Sequence, residues 1–111
     1  MPEEQKTGSI PALAVARCDT PTLRMSAYSG VWQLDLIQLP PAAMLSFSAP
    51  SRIFVGVTND IPATVDAGQD RLTMTREGEV LVVKVTRDLT QEIINAKFHL
   101  ESFDDLIQQL F

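Results

Sequence analysis

Few of the residue types that carry catalytic chemistry occur in this chain. Its 111 residues include one cysteine, Cys18, and one histidine, His99. One cysteine excludes an intramolecular disulfide, which fits a reducing compartment. One cysteine and one histidine cannot supply the four Cys/His ligands of a structural zinc site. Any Ser–His–Asp or Cys–His arrangement would have to use His99, and no motif sets a serine or Cys18 beside it. Glycine is equally sparse. Gly8, Gly30, Gly56, Gly68 and Gly78 are too far apart to write G-x-G-x-x-G or a P-loop. No apolar run approaches the roughly 18 residues of a membrane-spanning helix. The expected protein is therefore not an enzyme, holds no cofactor or metal and crosses no membrane.

Positive charge is also short. Lys and Arg total 9 against 14 Asp and Glu, a net charge of −5. That balance disfavours non-specific contact with nucleic acid or anionic lipid. The excess is confined to residues 60–111, with ten acids and five bases, while residues 1–59 carry four of each. An acidic, solvated face is the plain reading, and a surface for a basic partner the functional one. The opening MPEEQKTGS lacks the basic and apolar regions of a secretion signal, so a cytoplasmic protein is expected.

What is present is strand-like alternation in one small domain. Residues 1–9 read as a flexible polar arm, residues 10–111 as a single β-rich domain, and no internal repeat is visible. Ile10–Arg17 is β-compatible. Leu23, Met25 and Ala27 alternate with Arg24, Ser26 and Tyr28, and Trp32, Leu34 and Leu36 with Gln33 and Asp35. With Ser29-Gly30 between them, residues 22–39 form a predicted hairpin ended by Pro40-Pro41. Residues 42–50 fit a strand, a helical turn or a loop. Residues 52–58 read as a strand with Ile53, Val55 and Val57 inward, and 59–70 as a loop. Residues 71–100 form a predicted three-stranded meander with a turn at Glu77-Gly78. The period changes after Ser102. Phe103, Leu106, Ile107, Leu110 and Phe111 make an amphipathic stripe, with Ser102 and Asp105 spaced as a capping box. The expected architecture is mainly β: six to seven antiparallel strands, sandwich or barrel-like, closed by a helix over 102–111.

Several constellations invite a functional reading. Asp66, Gly68 and Asp70 spell D-x-G-x-D, which lacks the remaining ligands of a calcium loop and is expected to be a turn. Asp104 and Asp105 are adjacent on the helix and do not face each other. Arg24 and Tyr28 share the polar face of the first hairpin, and both residue types are enriched at interfaces. Val80, Val82 and Ile93 fall on the second face of the meander, which one short helix does not cover, so a homodimer or protein partner is expected there.

Subtraction and shape together favour a small non-enzymatic interaction protein. It would act by occupying a surface, as an inhibitor, an immunity or anti-defence protein, or a subunit of an assembly such as a phage particle. One alternative is a small-ligand module or enzyme in a barrel mouth, which requires Arg24, Tyr28, Asp35 or His99 to converge in one pocket. The other is a single-strand nucleic-acid binder, which requires a basic groove from Arg17, Arg24, Arg52 and Lys97.

Overall fold

The computed structural model of the protein describes residues 6–28, 30–38 and 43–111. Ser29 of the expected turn, the Pro40-Pro41 stop and residues 1–5 of the expected arm lie outside them. The element order is β1 (Lys6–Pro11), β2 (Thr22–Ala27), β3 (Val31–Gln38), β4 (Ala43–Pro50), α1 (Ser51–Thr58), β5 (Ala63–Ala67), β6 (Asp70–Glu77), β7 (Val80–Arg87), β8 (Gln91–His99) and α2 (Leu100–Leu110). The strands form two antiparallel four-stranded sheets, β1-β2-β3-β4 and β5-β6-β7-β8, each in chain order. They do not close into a barrel. Leu23, Met25, Leu34, Leu36 and Phe47 of the first sheet share one buried cluster with Leu72, Met74, Leu81, Val83 and Phe98 of the second, and α2 adds Phe103 and Ile107. Alternation explains most of this, since a strand with one buried face turns every second residue inward.

Four expectations needed correction. Lys6–Pro11 is a strand paired to β2, so residues 6–9 of the expected arm belong to the sheet and the first strand ends well before Arg17. The expected loop at 59–70 contains β5, which brings the strands to eight rather than six or seven. Residues 52–58 are helical rather than extended. Their β-branched residues alternate, but Phe54 and Val57, three apart, are the two buried side chains. That spacing suits a helix face, and tertiary burial overrides a weak local preference. α1 ends in a Schellman motif: Ile61 N–H donates to the Gly56 carbonyl and Asp60 N–H to that of Val57, with Asp60 at φ 66°. Arg76 Nη1 then donates to the Thr58 carbonyl at 2.7 Å, a cation at the negative end of the helix. In α2 the stripe is as expected for Phe103, Leu106, Ile107 and Leu110, but Leu100 joins it. Phe111 is 63 % exposed, its ring set edge-on to Trp32 at 5.1 Å. His99 occupies the N-cap with no side-chain cap bond, so Ser102 lies within the helix rather than capping it.

The structure also contains the repeat that the sequence conceals. Four strands and a helix occur twice, and the pairings recur 49 residues later. Leu23 faces Leu36 and Met25 faces Leu34, while Leu72 faces Val85 and Met74 faces Val83. Trp32 faces Ala49 and Leu34 faces Phe47, while Leu81 faces Phe98 and Val83 faces Ala96. α1 starts at Ser51 and α2 at Leu100, and both bury the equivalent Phe54 and Phe103. Large and small partners are exchanged at one of these pairs, where Trp32 sits opposite an alanine and the smaller Leu81 opposite a phenylalanine, whereas Leu34–Phe47 gives way to the smaller Val83–Ala96.

The halves differ in one connection. Residues 12–21 link β1 to β2, whereas only Gly68-Gln69 link β5 to β6. The longer connection crosses to the other sheet and runs along β8. Leu13 N–H donates to the Lys97 carbonyl at 2.7 Å and Asp19 N–H to the Asn95 carbonyl at 2.8 Å. Asn95 N–H returns a bond to Asp19 Oδ2, and Asp19 bridges Ala96 in parallel.

Candidate functional site

The outer face of the first sheet gathers the polar residues of β1 to β4. Arg24 and Asp35 are register partners on β2 and β3, as are Ser26 and Gln33, and Asp35 also faces Ser46 on β4. Alternation sends Leu34 and Leu36 into the core and therefore Asp35 outward. Asp35 is nevertheless only 1 % exposed. Arg24 Nε and Nη2 donate to Oδ2 at 3.1 and 2.8 Å, while Gln33 Nε2 and Ser46 Oγ donate to Oδ1 at 2.9 and 2.7 Å. Both carboxylate oxygens thus accept two bonds, which is what a buried charge needs. Burial alone would push the Asp35 pKa up. The hydrogen bonds from Ser46, Gln33 and Arg24, with the Arg24 charge, outweigh it and hold the carboxyl below the usual carboxylate value.

This network pins Arg24 with its side chain still 42 % exposed. Met44, 54 % exposed, lies with its sulfur 3.5 Å from Arg24 Nη2, and Tyr28 is 49 % exposed. Thr7 Oγ1 donates to the Met25 carbonyl and lies 3.0 Å from Ser26 Oγ. Thr7, Arg24, Ser26, Tyr28, Gln33 and Asp35 line an open groove of about 350 Å³. No family model, curated protein or solved structure matches this chain.

The structure brings Arg24, Tyr28 and Asp35 to one groove, leaves His99 elsewhere, and adds Gln33, which the alternation places only on a polar face. The signal for Asp35 was its place between Leu34 and Leu36. An acid at the centre of an apolar strand has to be partnered. Val80, Val82 and Ile93 are not brought to this groove, nor into one exposed patch. Val82 is 5 % exposed between Thr75 and Lys97, its register partners. Val80 is half-buried on the same strand. Ile93 is the extra residue where β8 shifts register, since Val85 faces Ile94 but Thr86 faces Glu92. The shift turns Ile93 toward the core, where it lines a groove of about 170 Å³ between the sheets with Leu36, Leu45 and Ile94.

The remaining candidates are dispersed. His99 is exposed at the start of α2, and Cys18 is half-buried in the 12–21 connection. Arg17, Arg24, Arg52 and Lys97 lie on four different segments. The D-x-G-x-D segment forms the β5–β6 turn, and its carboxylates are engaged: Arg71 Nε lies 2.7 Å from Asp66 and Arg87 Nε 3.0 Å from Asp70. Among the described residues no three His, Cys, Asp or Glu side chains cluster as metal ligands, and no helix is long and apolar enough to cross a membrane.

Proposed function

We propose that the protein is a small non-enzymatic interaction module that binds a partner protein through the outer face of its first sheet, centred on Arg24 and Tyr28. The observation that carries this reading is the buried Asp35 and its contrast with the other half. The equivalent position is Lys84, which is exposed, and Arg24 and Gln33 correspond to Thr73 and Val82. The scaffold therefore folds without a buried charge at that place. What the charge does in the first sheet is hold Arg24 in one orientation beside Tyr28 and Met44. A guanidinium already ordered before contact loses less freedom on binding, and Arg and Tyr are the residue types that dominate interface energies.

The chemistry of the site favours binding over catalysis. Asp35 accepts hydrogen bonds on both oxygens and has a lowered pKa, which makes it a poor proton acceptor at neutral pH. The groove is open rather than enclosing, which suits a protein surface more than a small molecule. The convergence of Arg24, Tyr28 and Asp35 supports one second reading, a small polar ligand held at the same place.

The test is affinity capture from lysate of the native source, with nuclease, using the wild type, Arg24→Ala/Tyr28→Ala and the control Lys84→Ala. A stoichiometric partner retained by wild type and control but lost by the double variant supports the reading. Equal retention by the double variant, or no partner for the folded wild type, overturns it. In the latter case a melting shift induced by a small molecule and absent from the double variant would establish the ligand reading.

A further inference from the structure

The bonds already made around Asp35 fix which atoms of the outer face are still free, and so what that face can take. Thr7 has one hydroxyl hydrogen and gives it to the Met25 carbonyl, so in its 3.0 Å contact with Ser26 the serine is the donor. Ser46 gives its hydrogen to Asp35 Oδ1. These hydroxyls are left with lone pairs alone. Gln33 spends one amide hydrogen on Asp35 Oδ1 and keeps the other, together with Oε1. Arg24 turns Nε and Nη2 to Asp35 Oδ2, and among the described residues nothing bonds its Nη1.

The groove therefore sets donors from Arg24 beside acceptors from Thr7 and Gln33, and the charges of Arg24 and Asp35 cancel. A carboxylate or phosphate only accepts, and would meet those lone pairs and the Asp35 charge. An ammonium only donates, and would meet the guanidinium. The group that satisfies both sides is neutral and donates and accepts at neighbouring atoms, as hydroxyls do.

The footprint narrows the class further. The lining residues fall in two rows of the sheet, Thr7–Ser26–Gln33 and Arg24–Asp35, two residues apart along the strands. That spacing is about 7 Å, and the three strands span about 10 Å. One carboxamide would fill a corner of this area, whereas a sugar ring with several hydroxyls covers it. Tyr28, 49 % exposed at the rim, supplies an apolar ring face for the C–H groups of a sugar. The second sheet lacks the device. Thr73, Glu77 and Val82 stand where the first has Arg24, Tyr28 and Gln33.

We propose that the groove binds a neutral saccharide, with Arg24 and Gln33 holding adjacent hydroxyls and Tyr28 stacked on the ring. This rests on the reading of the groove as the binding site and names the group it takes, free or displayed on a partner protein. An open groove admits the exposed end of a glycan in either form.

The test is binding of the full chain to an array of neutral, sulfated and sialylated glycans. Titration with the free oligosaccharide that binds best follows, for wild type, Arg24→Ala, Tyr28→Ala and the control Lys84→Ala. The expected result is retention on neutral glycans in preference to charged ones, with a dissociation constant that salt does not change. That constant should rise roughly tenfold or more in both groove variants and stay unchanged in the control. Tyr28 is not among the donors to Asp35, so Tyr28→Ala decides the matter if Arg24→Ala does not fold. A partner captured from untreated lysate but not after enzymatic deglycosylation carries the glycan, and array binding without such a partner assigns a free saccharide. No glycan bound, a preference for sulfated or sialylated glycans, or binding indifferent to Tyr28→Ala overturns the proposal. Capture of a deglycosylated partner through Arg24 and Tyr28, with no glycan bound, overturns it and leaves the partner-binding reading standing.

Discussion

The first and second halves of this chain fold alike and differ in what they present. Residues 6–58 and 63–110 each make four antiparallel strands and a helix, with equivalent residues buried. Only Leu23/Leu72, Met25/Met74, Val31/Val80 and Phe54/Phe103 are identical across β2 to α1 and their counterparts. Three of those four pairs are fully buried, so the shared pattern is one of core positions. The outer faces have nothing in common. The first carries a buried, four-bonded carboxylate and a pinned arginine. The second carries Lys84 and Thr73, with Val82 covered and one edge closed by the other half's connection. Burial at the core positions is what the scaffold demands, and the outer face is where the halves were free to diverge.

If the halves are equivalent in the core, matched deletions should cost alike. Phe54→Ala and Phe103→Ala, both at 0 % exposure, should each destabilise by about 3–5 kcal/mol in chemical denaturation. A difference between them as large as either value would break the equivalence. Gly8 tests the place where helix packing departs from it. A Cβ there would lie 2.5 Å from Leu106 Cδ1, because α2 presses on β1, whereas the equivalent Ala63 carries its methyl without difficulty. Gly8→Ala should cost about 1 kcal/mol or less, since the atom met is the end of the Leu106 side chain and alanine is the better strand residue. Ala63→Gly should cost about 1 kcal/mol or less, as expected for glycine in a strand.

The outer faces should separate more sharply. Asp35→Asn should destabilise by roughly 1–3 kcal/mol, since it leaves donors facing a neutral amide, while Lys84→Asn should fall within about 0.5 kcal/mol. The pH dependence follows from the lowered Asp35 pKa. Its contribution is fully present above the unfolded carboxyl pKa and is lost as pH falls through the folded one. Urea melts of the wild type should weaken over that acid range, and Asp35→Asn should remove this part of the loss. The smallest effect concerns the end of α1. Asp60 holds φ 66°, a conformation that favours glycine, so Asp60→Gly should raise stability by about 0.5–1 kcal/mol.

Much of the β structure was legible because it rests on nearest-neighbour chemistry. The 22–39 hairpin, the 71–100 meander and the C-terminal helix follow from period-2 and period-3.6 burial, and each satisfies its pattern within a few residues. α1 and β5 were not legible. α1 is short, β-branched and interrupted by Gly56, and it is helical because Phe54 and Val57 have a core to enter. β5 is five residues long and is a strand because β6 offers it a ladder. At the site, the polar faces of Arg24, Tyr28 and Asp35 were visible, but their assembly depended on the β2–β3 and β3–β4 registers. Ile93 was assigned to the wrong side because a register shift has no local signature.

By itself the sequence determined which residues must leave water, how far their charges depart from neutrality, and which chemistries lack their ligands. These depend on composition and spacing, and spacing is read along the chain. The tertiary structure alone decided that the fold repeats, that Asp35 is buried on an outward face, that residues 12–21 close one sheet edge and that β4 ends its sheet with β5 beside it. Each joins groups distant in sequence, and only packing and register determine which distant groups meet.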